Sequence, residues 1–408
     1  MSTPLGNPVS DSIKVAILTK LAGGVCRGTE TIAYELKHRL PFSTTVLSLT
    51  ASDWTVQVPG ITRERSVHMA YSWLFDKFKL KWLDSLMPRC SCLISRYSIE
   101  EWSYGRSAVE ALSALKPDVV LNQSGPIVGR YCAAYRKRTG VPFVVAGGAG
   151  VGRAERKNVY TKPDKYIAKN PEALRFVQAI DPEMDAVLVP NGVNLDMFTP
   201  DGTRLSPDEL RGLSGNPNLV VERPAVISTS ALEKGKRLHL VIEAMRILGR
   251  GTLLLAGCGQ MKDEIVALGR RLLGSRFGYL GAFKYPQIAP LYRSGDVFCM
   301  PSASEAFGNA AVEAMACGIP VVTTDDESRR WILGAGGGIV VDPTDVDLLA
   351  AAIEQASERD WGDGPPRESL RFDWVAIADT YARILDEVSR RPKPAERHNS
   401  LSVRTRAR

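Results

Sequence analysis

Two carboxylates and a helix start share one short stretch of the sequence, residues 301–322. Glu305 lies in a loop, and Glu313 follows it by eight residues on a helix that begins near Gly308 and Asn309. The unpaired N–H groups and positive dipole end of a helix start bind anions, and a glycine there allows close approach to the backbone. A carboxylate accepts hydrogen bonds from two sugar hydroxyls. The stretch therefore indicates an anion site beside groups that bind sugars, although either carboxylate alone is typical of an ordinary α/β crossover.

Short β-branched runs alternate with helical stretches along the whole chain, and these elements must position the candidate site. Strand candidates in the first half are 13–19, 44–47, 118–121, 142–146 and 185–190, with a helix at 29–40. Those in the second half are 224–228, 252–256, 277–280, 297–300 and 321–324, with helices starting at Ser206 and spanning 238–248 and 374–389. This rhythm predicts parallel sheets covered on both faces. We expect an α/β protein of two doubly wound, Rossmann-like domains facing across a cleft, where ligands bind.

The composition is that of a globular protein of two domains. The 408 residues are 44% hydrophobic and 24% charged, with no apolar run long enough to span a bilayer. The seven cysteines form no zinc-binding pattern, and the first residues lack the pattern of a signal peptide, so we expect a cytoplasmic location. Much of the net charge of +7 comes from the end of the chain, where 391–408 carry six Lys or Arg and one Glu. Without it the chain is nearly neutral, and we expect no nucleic-acid binding.

The string PSASEAFGNAAVEAMACGIPVV at 301–322 resembles the donor-site signature of the family 4 retaining glycosyltransferases, which have the B-type fold of two Rossmann-like domains (GT-B). The resemblance is weakest between residues 50 and 115. It implies that Glu305 contacts the transferred sugar as a catalytic residue and that Glu313 holds the ribose of the donor. It also implies that the donor is contacted by the backbone of Phe307, Gly308 and Asn309.

The segment SALEKGKRL at 230–238 resembles the basic loop of that family, which contacts the donor diphosphate. Two alignments remain open, one with Lys234 and one with Lys236 at the diphosphate, and the spacing favours Lys236 as the catalytic lysine. Many members carry an arginine five residues earlier, where this chain has Ala231, so the usual phosphate-binding pair is either reduced or completed by Arg237. Taken alone, these lysines are more typical of a solvated helix start.

Several glycines also match positions of the family. Gly28, before the first helix, resembles its glycine loop, and Gly259 lies where the backbone approaches the nucleotide. Many members place a histidine that faces the reacting sugar after the strand ending here at Ala146, but this chain continues with Gly147 and Gly148. We expect these glycines to bring backbone groups to the sugar. A changed acceptor or a lost activity are the alternatives.

The resemblance also predicts how the chain divides. The expected parts are a flexible N-terminus at 1–12, an acceptor-binding domain at 13–197, a nucleotide-sugar-binding domain at 198–372, a helix packing back on the body at 373–390 and a disordered basic tail at 391–408. The expected reaction moves a hexose-type sugar, with retention of its anomeric configuration, to a glycan, a lipid-linked or a small-molecule acceptor. No cofactor and no metal is expected, despite the acidic run at 325–327, because lysine and helix N–H groups balance the diphosphate charge in this fold.

Residues 72–83 combine Trp73, Phe78 and Trp82 with three lysines at helical spacing. A basic, tryptophan-bearing amphipathic helix binds anionic lipid, which predicts peripheral contact with the inner membrane face. The alternative, which the pattern favours, is a helix packing its aromatic face on the first sheet.

Two other functions fit the same residues. A sugar-nucleotide epimerase of related fold would need no acceptor. A degenerate transferase would bind the donor as a partner subunit without turnover, and the absent histidine and Ala231 motivate this alternative.

Overall fold

The structure, a computed structural model, describes residues 13–22, 28–62, 96–148, 150–283 and 285–391. The predicted helix at 72–83 and the tail beyond residue 391 lie outside these residues. The described chain contains two α/β units, each built on one sheet.

The first unit is a parallel sheet of seven strands. Its strands are Lys14–Leu18 (β1), Ser43–Ser48 (β2), Val56–Gln57 (β3), Val119–Asn122 (β4), Phe143–Ala146 (β5), Lys165–Ala168 (β6) and Ala186–Leu188 (β7). Its helices are Gly28–Arg39 (α1), Arg96–Leu115 (α2), Pro126–Thr139 (α3), Arg153–Val159 (α4) and Pro171–Ile180 (α5). The strands lie in the order β3-β2-β1-β4-β5-β6-β7. The chain reverses its direction of progress between β1 and β4, which is the topological switch point where such sheets bind ligands.

The second unit is a parallel sheet of six strands. Its strands are Ala225–Thr229 (β8), Thr252–Ala256 (β9), Phe277–Tyr279 (β10), Val297–Met300 (β11), Val321–Thr324 (β12) and Gly338–Val341 (β13). Its helices are Pro207–Ser214 (α6), Leu238–Leu248 (α7), Lys262–Leu273 (α8), Ala289–Arg293 (α9), Asn309–Ala316 (α10), Glu327–Leu333 (α11), Val346–Glu358 (α12) and Gly364–Ser369 (α13). The order β10-β9-β8-β11-β12-β13 places the second switch point between β8 and β11.

Both sheets are covered on their two faces, which explains their apolar strands. In β1, Val15 and Ile17 join the core on one face, whereas Ala16 and Leu18 join the core on the other. The second sheet likewise separates two cores, and β11 contributes to both. Alternating side chains of a buried parallel strand both meet helices, so the strand reads as a continuous apolar run.

The end of the chain returns to the first unit. Val193 pairs with Asp373 in a parallel bridge, and its N–H donates to the carbonyl of Phe372 at 2.7 Å. The last helix, Trp374–Ser389 (α14), then packs Trp374 and Tyr381 into the core that contains Ile17. The two segments that connect the units, one at Val193 and one at Asp373, are therefore hydrogen-bonded to each other.

The predicted fold class is confirmed, because both units are doubly wound parallel sheets. The strand candidates from the sequence did not include β3, β6 and β13. The run of β6 begins with Lys165, whose ammonium reaches Asp185 at 3.2 Å, so the strand lacks the apolar pattern of its neighbours. Strand β3 has two residues at the sheet edge, too few for any pattern.

Candidate functional site

A cavity of about 630 Å³ lies between the two units, at the carboxyl ends of their strands. Its walls include Gln123 after β4, Thr229 at the end of β8 and Met300 at the end of β11. The cavity is therefore bordered by both switch points. Its volume is in the range of sites that enclose small molecules.

Two helix starts meet at the centre of this cavity. Helix α10 begins after Gly308, which has a left-handed backbone with φ of 94° and provides no side-chain cap. Helix α1 begins at Gly28 in the opposite unit, where an added Cβ would lie 3.1 Å from the side-chain nitrogen Nδ2 of Asn309. Because the first N–H groups of a helix have no partner within it, both starts direct positive potential into the cavity. This arrangement suits an anionic group such as a diphosphate.

An ion pair lies beside the α10 start. The ammonium of Lys236 is 2.6 Å from Oε1 of Glu305, and both side chains are partly exposed in the cavity. Lys236 ends a short 3-10 turn, Lys234–Lys236, and the loop that carries Glu305 is tied to this turn because Ala303 N–H donates to the Gly235 carbonyl at 2.8 Å. The structure thus brings together the two residues that the sequence predicted as catalytic.

Glu313 is a half-buried residue whose side chain belongs to the cavity wall. Its Oε2 accepts a hydrogen bond of 2.9 Å from the hydroxyl of Tyr292, which lies 3.0 Å from the hydroxyl of Thr229. Burial raises the pKa of Glu313 from 4.5 to about 7, and the hydrogen bond from Tyr292 opposes that rise. The charged form of this carboxyl therefore costs free energy in these surroundings, and further hydroxyl donors would stabilise it.

Three predicted donor-binding residues do not line the cavity. Gly259 packs against the backbone of Leu232, whose carbonyl oxygen would be 2.5 Å from an added Cβ. Arg237 donates from Nε to the Pro301 carbonyl at 2.8 Å and from Nη2 to Thr324 at 3.1 Å, so its guanidinium holds the strand ends together. Lys234 is exposed on the outer side of the 3-10 turn. Neither Arg237 nor Lys234 lines this cavity, and their contacts with a donor stay predictions.

The two glycines after β5 do line the cavity but differ in their surroundings. An added Cβ at Gly147 would lie 2.9 Å from the hydroxyl of Tyr166, whereas one at Gly148 would meet no atom of the described residues within 4 Å. The N–H of Gly148 donates to Oε1 of Glu155 at 2.9 Å. Gly147 is therefore required by packing, and Gly148 leaves open space in the cavity wall.

Sequence reasoning missed several residues that shape the cavity. Asn170 caps α5 and donates from Nδ2 to the Ala306 carbonyl across the cleft at 2.7 Å. Asn191 similarly donates to Oδ1 of Asn309 at 2.9 Å. Lys169 follows β6 and also lines the cavity. The Asn-Pro pair at 170–171 is typical of a helix start and could have predicted the cap of α5. The contact of Asn170 with Ala306 could not be predicted from the local sequence.

The acidic run at 325–327 is used within the fold. Asp326 caps α11 and pairs with Arg329, and Asp325 pairs with Arg330. Within the described ranges no group of three or more His, Cys, Asp or Glu is arranged to hold a metal ion.

The comparisons with known proteins point to the same region. Residues 214–371 match the family described as "Glycosyl transferases group 1". The chain is 29% identical over 255 residues to D-inositol 3-phosphate glycosyltransferase of Mycolicibacterium smegmatis, an alignment covering 60% of this chain and 58% of that protein. It is 34% identical over 175 residues to the lipopolysaccharide core biosynthesis glycosyltransferase LpsE of Rhizobium meliloti, covering 40% of this chain and 50% of that protein. The chain thus spans less than two thirds of these relatives.

Solved structures share the whole architecture. Sucrose-phosphate synthase of Thermosynechococcus elongatus superposes with a TM-score of 0.70 at 16% identity, over 92% of this chain and 99% of that one. Anabaena HepE, solved with UDP and glucose, superposes with a TM-score of 0.67 at 18% identity, over 92% and 99% of the two chains. At such identities the likeness concerns the fold.

The chain is therefore an α/β protein of the GT-B architecture. Its residues 214–371 are a glycosyl transferases group 1 domain, which confirms the resemblance drawn from the 301–322 string. No helix in the described residues is long and apolar enough to cross a membrane.

Proposed function

We propose that this chain is a retaining glycosyltransferase that moves a hexose-type sugar from a nucleoside diphosphate sugar to an acceptor. The observation that carries the proposal is the Lys236–Glu305 pair beside the α10 start, in a cavity bordered by both switch points. A cation, a helix start and a carboxylate together suit a diphosphate and its attached sugar.

The donor occupies the side of the cavity formed by the second unit. The diphosphate lies against the α10 start and Lys236, the ribose hydroxyls bind Glu313, and the transferred sugar reaches Glu305. A nucleotide-sugar ligand is supported by the structural neighbour HepE, which was solved with UDP and glucose. The acceptor enters from the first unit, beside Gly28, Gly147 and Gly148.

The reaction needs positioning and charge stabilisation rather than a protein nucleophile. The bond between the anomeric carbon and the phosphate oxygen breaks, and the acceptor oxygen bonds to the same face of that carbon. The acceptor proton passes to the departing phosphate oxygen. Lys236 and the α10 N–H groups stabilise the negative charge that develops on the diphosphate, which is the type of interaction that lowers a barrier most.

We further propose that transfer requires no metal ion and no cofactor, because these same groups balance the diphosphate charge. Activity should survive incubation with EDTA and dialysis. Complete loss of transfer in EDTA, restored by Mg²⁺, would contradict this part of the proposal.

The proposal is tested by incubating the protein with nucleotide sugars, alone and with a panel of sugar, inositol and lipid-linked acceptors. NMR of the product then reports the anomeric configuration. Acceptor-dependent product with the donor's configuration is the expected result. Conversion of the donor without an acceptor would indicate an epimerase, and donor binding without turnover across the panel would indicate a donor-binding subunit.

A further inference from the structure

Lys169 is a buried lysine in the wall that the first unit contributes to the cavity. The residue is 3% exposed and follows β6 directly. Its ammonium donates a hydrogen bond to the hydroxyl of Tyr381 on α14 and lies 5.0 Å from the centre of that ring. A phenol hydroxyl is a neutral partner, so this contact leaves the lysine charge unbalanced.

The charge of Lys169 has no carboxylate salt bridge within the described part of the chain. Glu155 is the charge that opposes its deprotonation, but the Glu155 oxygens already accept from Gly148 N–H, Asn158 and Tyr166. Burial lowers the pKa of Lys169 from 10.5 to about 7. Burying a lysine without a carboxylate partner lowers the stability of the fold. Such lysines are typical of sites that bind an anionic ligand.

Open space lies next to Lys169 in the cavity wall. Strands β5 and β6 pair Ala146 with Ile167, so Gly148 and Lys169 are each two residues beyond that pair. Among the residues that the structure describes, none has an atom within 4 Å of a Cβ added at Gly148. A ligand group can therefore occupy the place beside Lys169 where most residues would put a side chain.

The first unit has the acid Glu155 beside this wall; it accepts a hydrogen bond from the Gly148 N–H but does not itself line the cavity. Among its described residues that line the cavity, Lys169 is the one charged side chain, and the carboxylates Glu305 and Glu313 belong to the second unit. The donor diphosphate is assigned to the α10 start and Lys236 on that opposite side. A second anion would thus find its cation in Lys169.

We infer that the acceptor carries an anionic group, a phosphate or a carboxylate, that binds Lys169 in the space beside Gly148. This inference rests on the proposed function, because it describes the acceptor of the same transfer. Lys169 is then an acceptor-binding residue, and its burial excludes neutral sugars that cannot balance its charge.

Chemical modification tests the inference directly. A lysine with a lowered pKa is a good nucleophile for cyanate, and peptide mass spectrometry reports the rate at each lysine. Inorganic phosphate or glucose 6-phosphate should slow the carbamoylation of Lys169 several-fold, whereas glucose should not. Comparing the carbamoylation rate of Lys169 in glucuronate with that in glucose 6-phosphate shows whether the site prefers a carboxylate or a phosphate. A Lys169 that is unreactive, or whose rate ignores all the anions, would overturn the inference.

Donor binding is measured on the same sample by thermal shift with nucleotide sugars. Donor binding without anion protection of Lys169 would overturn this inference and leave the proposed function intact. Protection without donor binding would overturn the proposed function instead.

A purely structural lysine would behave differently in stability and in kinetics. If Lys169 only anchors α14, the Lys169→Met/Tyr381→Phe double variant should melt at a lower temperature. The inference predicts an unchanged or higher melting temperature, because a buried unpaired cation is removed together with its neutral partner. It also predicts that Lys169→Met raises KM for an anionic acceptor by about 10- to 100-fold, as loss of a charged hydrogen bond does, while Lys169→Arg retains part of the binding. An unchanged KM would contradict it.

Discussion

Lys236 and Glu305 form a 2.6 Å ion pair across two loops of the second unit, in the wall of the cavity between the two units. The carboxylate of Glu305 balances the charge of the lysine. On donor binding, the diphosphate would take over the ammonium, and Glu305 would become free to accept a sugar hydroxyl. Breaking this one ion pair would therefore free Lys236 for the diphosphate and Glu305 for the transferred sugar.

Substitution of Lys236 should reduce transfer strongly. Lys236→Met removes a charge placed against the departing diphosphate, and loss of one such interaction costs about 10²- to 10³-fold in rate. The measurement is kcat/KM for transfer, with donor hydrolysis as a second readout.

Lys234→Met is the matched control, because Lys234 belongs to the same 3-10 turn and does not line the cavity. It should leave kcat/KM near the wild-type value. This comparison also separates the two alignments that the sequence left open, since a reversed result would place Lys234 at the diphosphate.

The raised pKa of Glu313 should make the stability of the fold depend on pH. Its pKa is raised from 4.5 in the unfolded chain to about 7, so the folded protein binds the proton more tightly and loses stability as pH rises between these values. A shift of this size corresponds to about 3 kcal/mol at roughly 1.4 kcal/mol per pKa unit. Glu313→Gln, which carries no charge, should therefore gain stability over the wild type at pH 8 but not at pH 4.5.

Chemical denaturation at the two pH values measures this difference. Glu264→Gln, an exposed position on α8, is the control and should show the same difference at both. A Glu313→Gln difference that does not change with pH would show that the carboxyl titrates normally.

The two glycines after β5 should respond differently to alanine. Gly147→Ala places a Cβ 2.9 Å from the Tyr166 hydroxyl and should destabilise the fold by about 1–3 kcal/mol, as overpacking does. Gly148→Ala meets open space, so stability should stay within about 0.5 kcal/mol of the wild type while the acceptor KM rises. Thermal unfolding and acceptor kinetics measure both effects, and equal destabilisation by the two variants would contradict the assigned surroundings.

The sequence predicted the fold because buried parallel strands and their helices leave strong local patterns. It also predicted the α10 start with Glu305, Glu313 and Gly308, since these residues are close in sequence and together suit a phosphate and a sugar. Contacts between distant segments left no such pattern. Neither the hydrogen bond from Asn191 to Asn309 nor the burial of Lys169 against Tyr381 can be inferred from local spacing.

Arg237 shows what the local sequence leaves open. A basic residue beside a predicted diphosphate site suggested a contact with the donor. Its αL backbone, with φ of 50°, and its hydrogen bonds to Pro301 and Thr324 direct the guanidinium into the fold. Local chemistry identified the loop but not the direction of each side chain.

Binding of nucleotide sugars tests whether the cavity between the two units is a donor site. Wild-type protein, Glu313→Ala and the exposed control Glu264→Ala would be heated with UDP-, GDP-, ADP- and TDP-sugars, with and without Mg²⁺. A ligand at a hundredfold its Kd stabilises the folded state by about 2.7 kcal/mol. We expect the nucleotide sugars of one class to raise the melting temperature, with or without Mg²⁺. Glu264→Ala should keep this shift, and Glu313→Ala should lose it. No shift with any nucleotide sugar, or a shift that Glu313→Ala retains in full, would contradict the assignment of this cavity to a nucleotide-sugar donor.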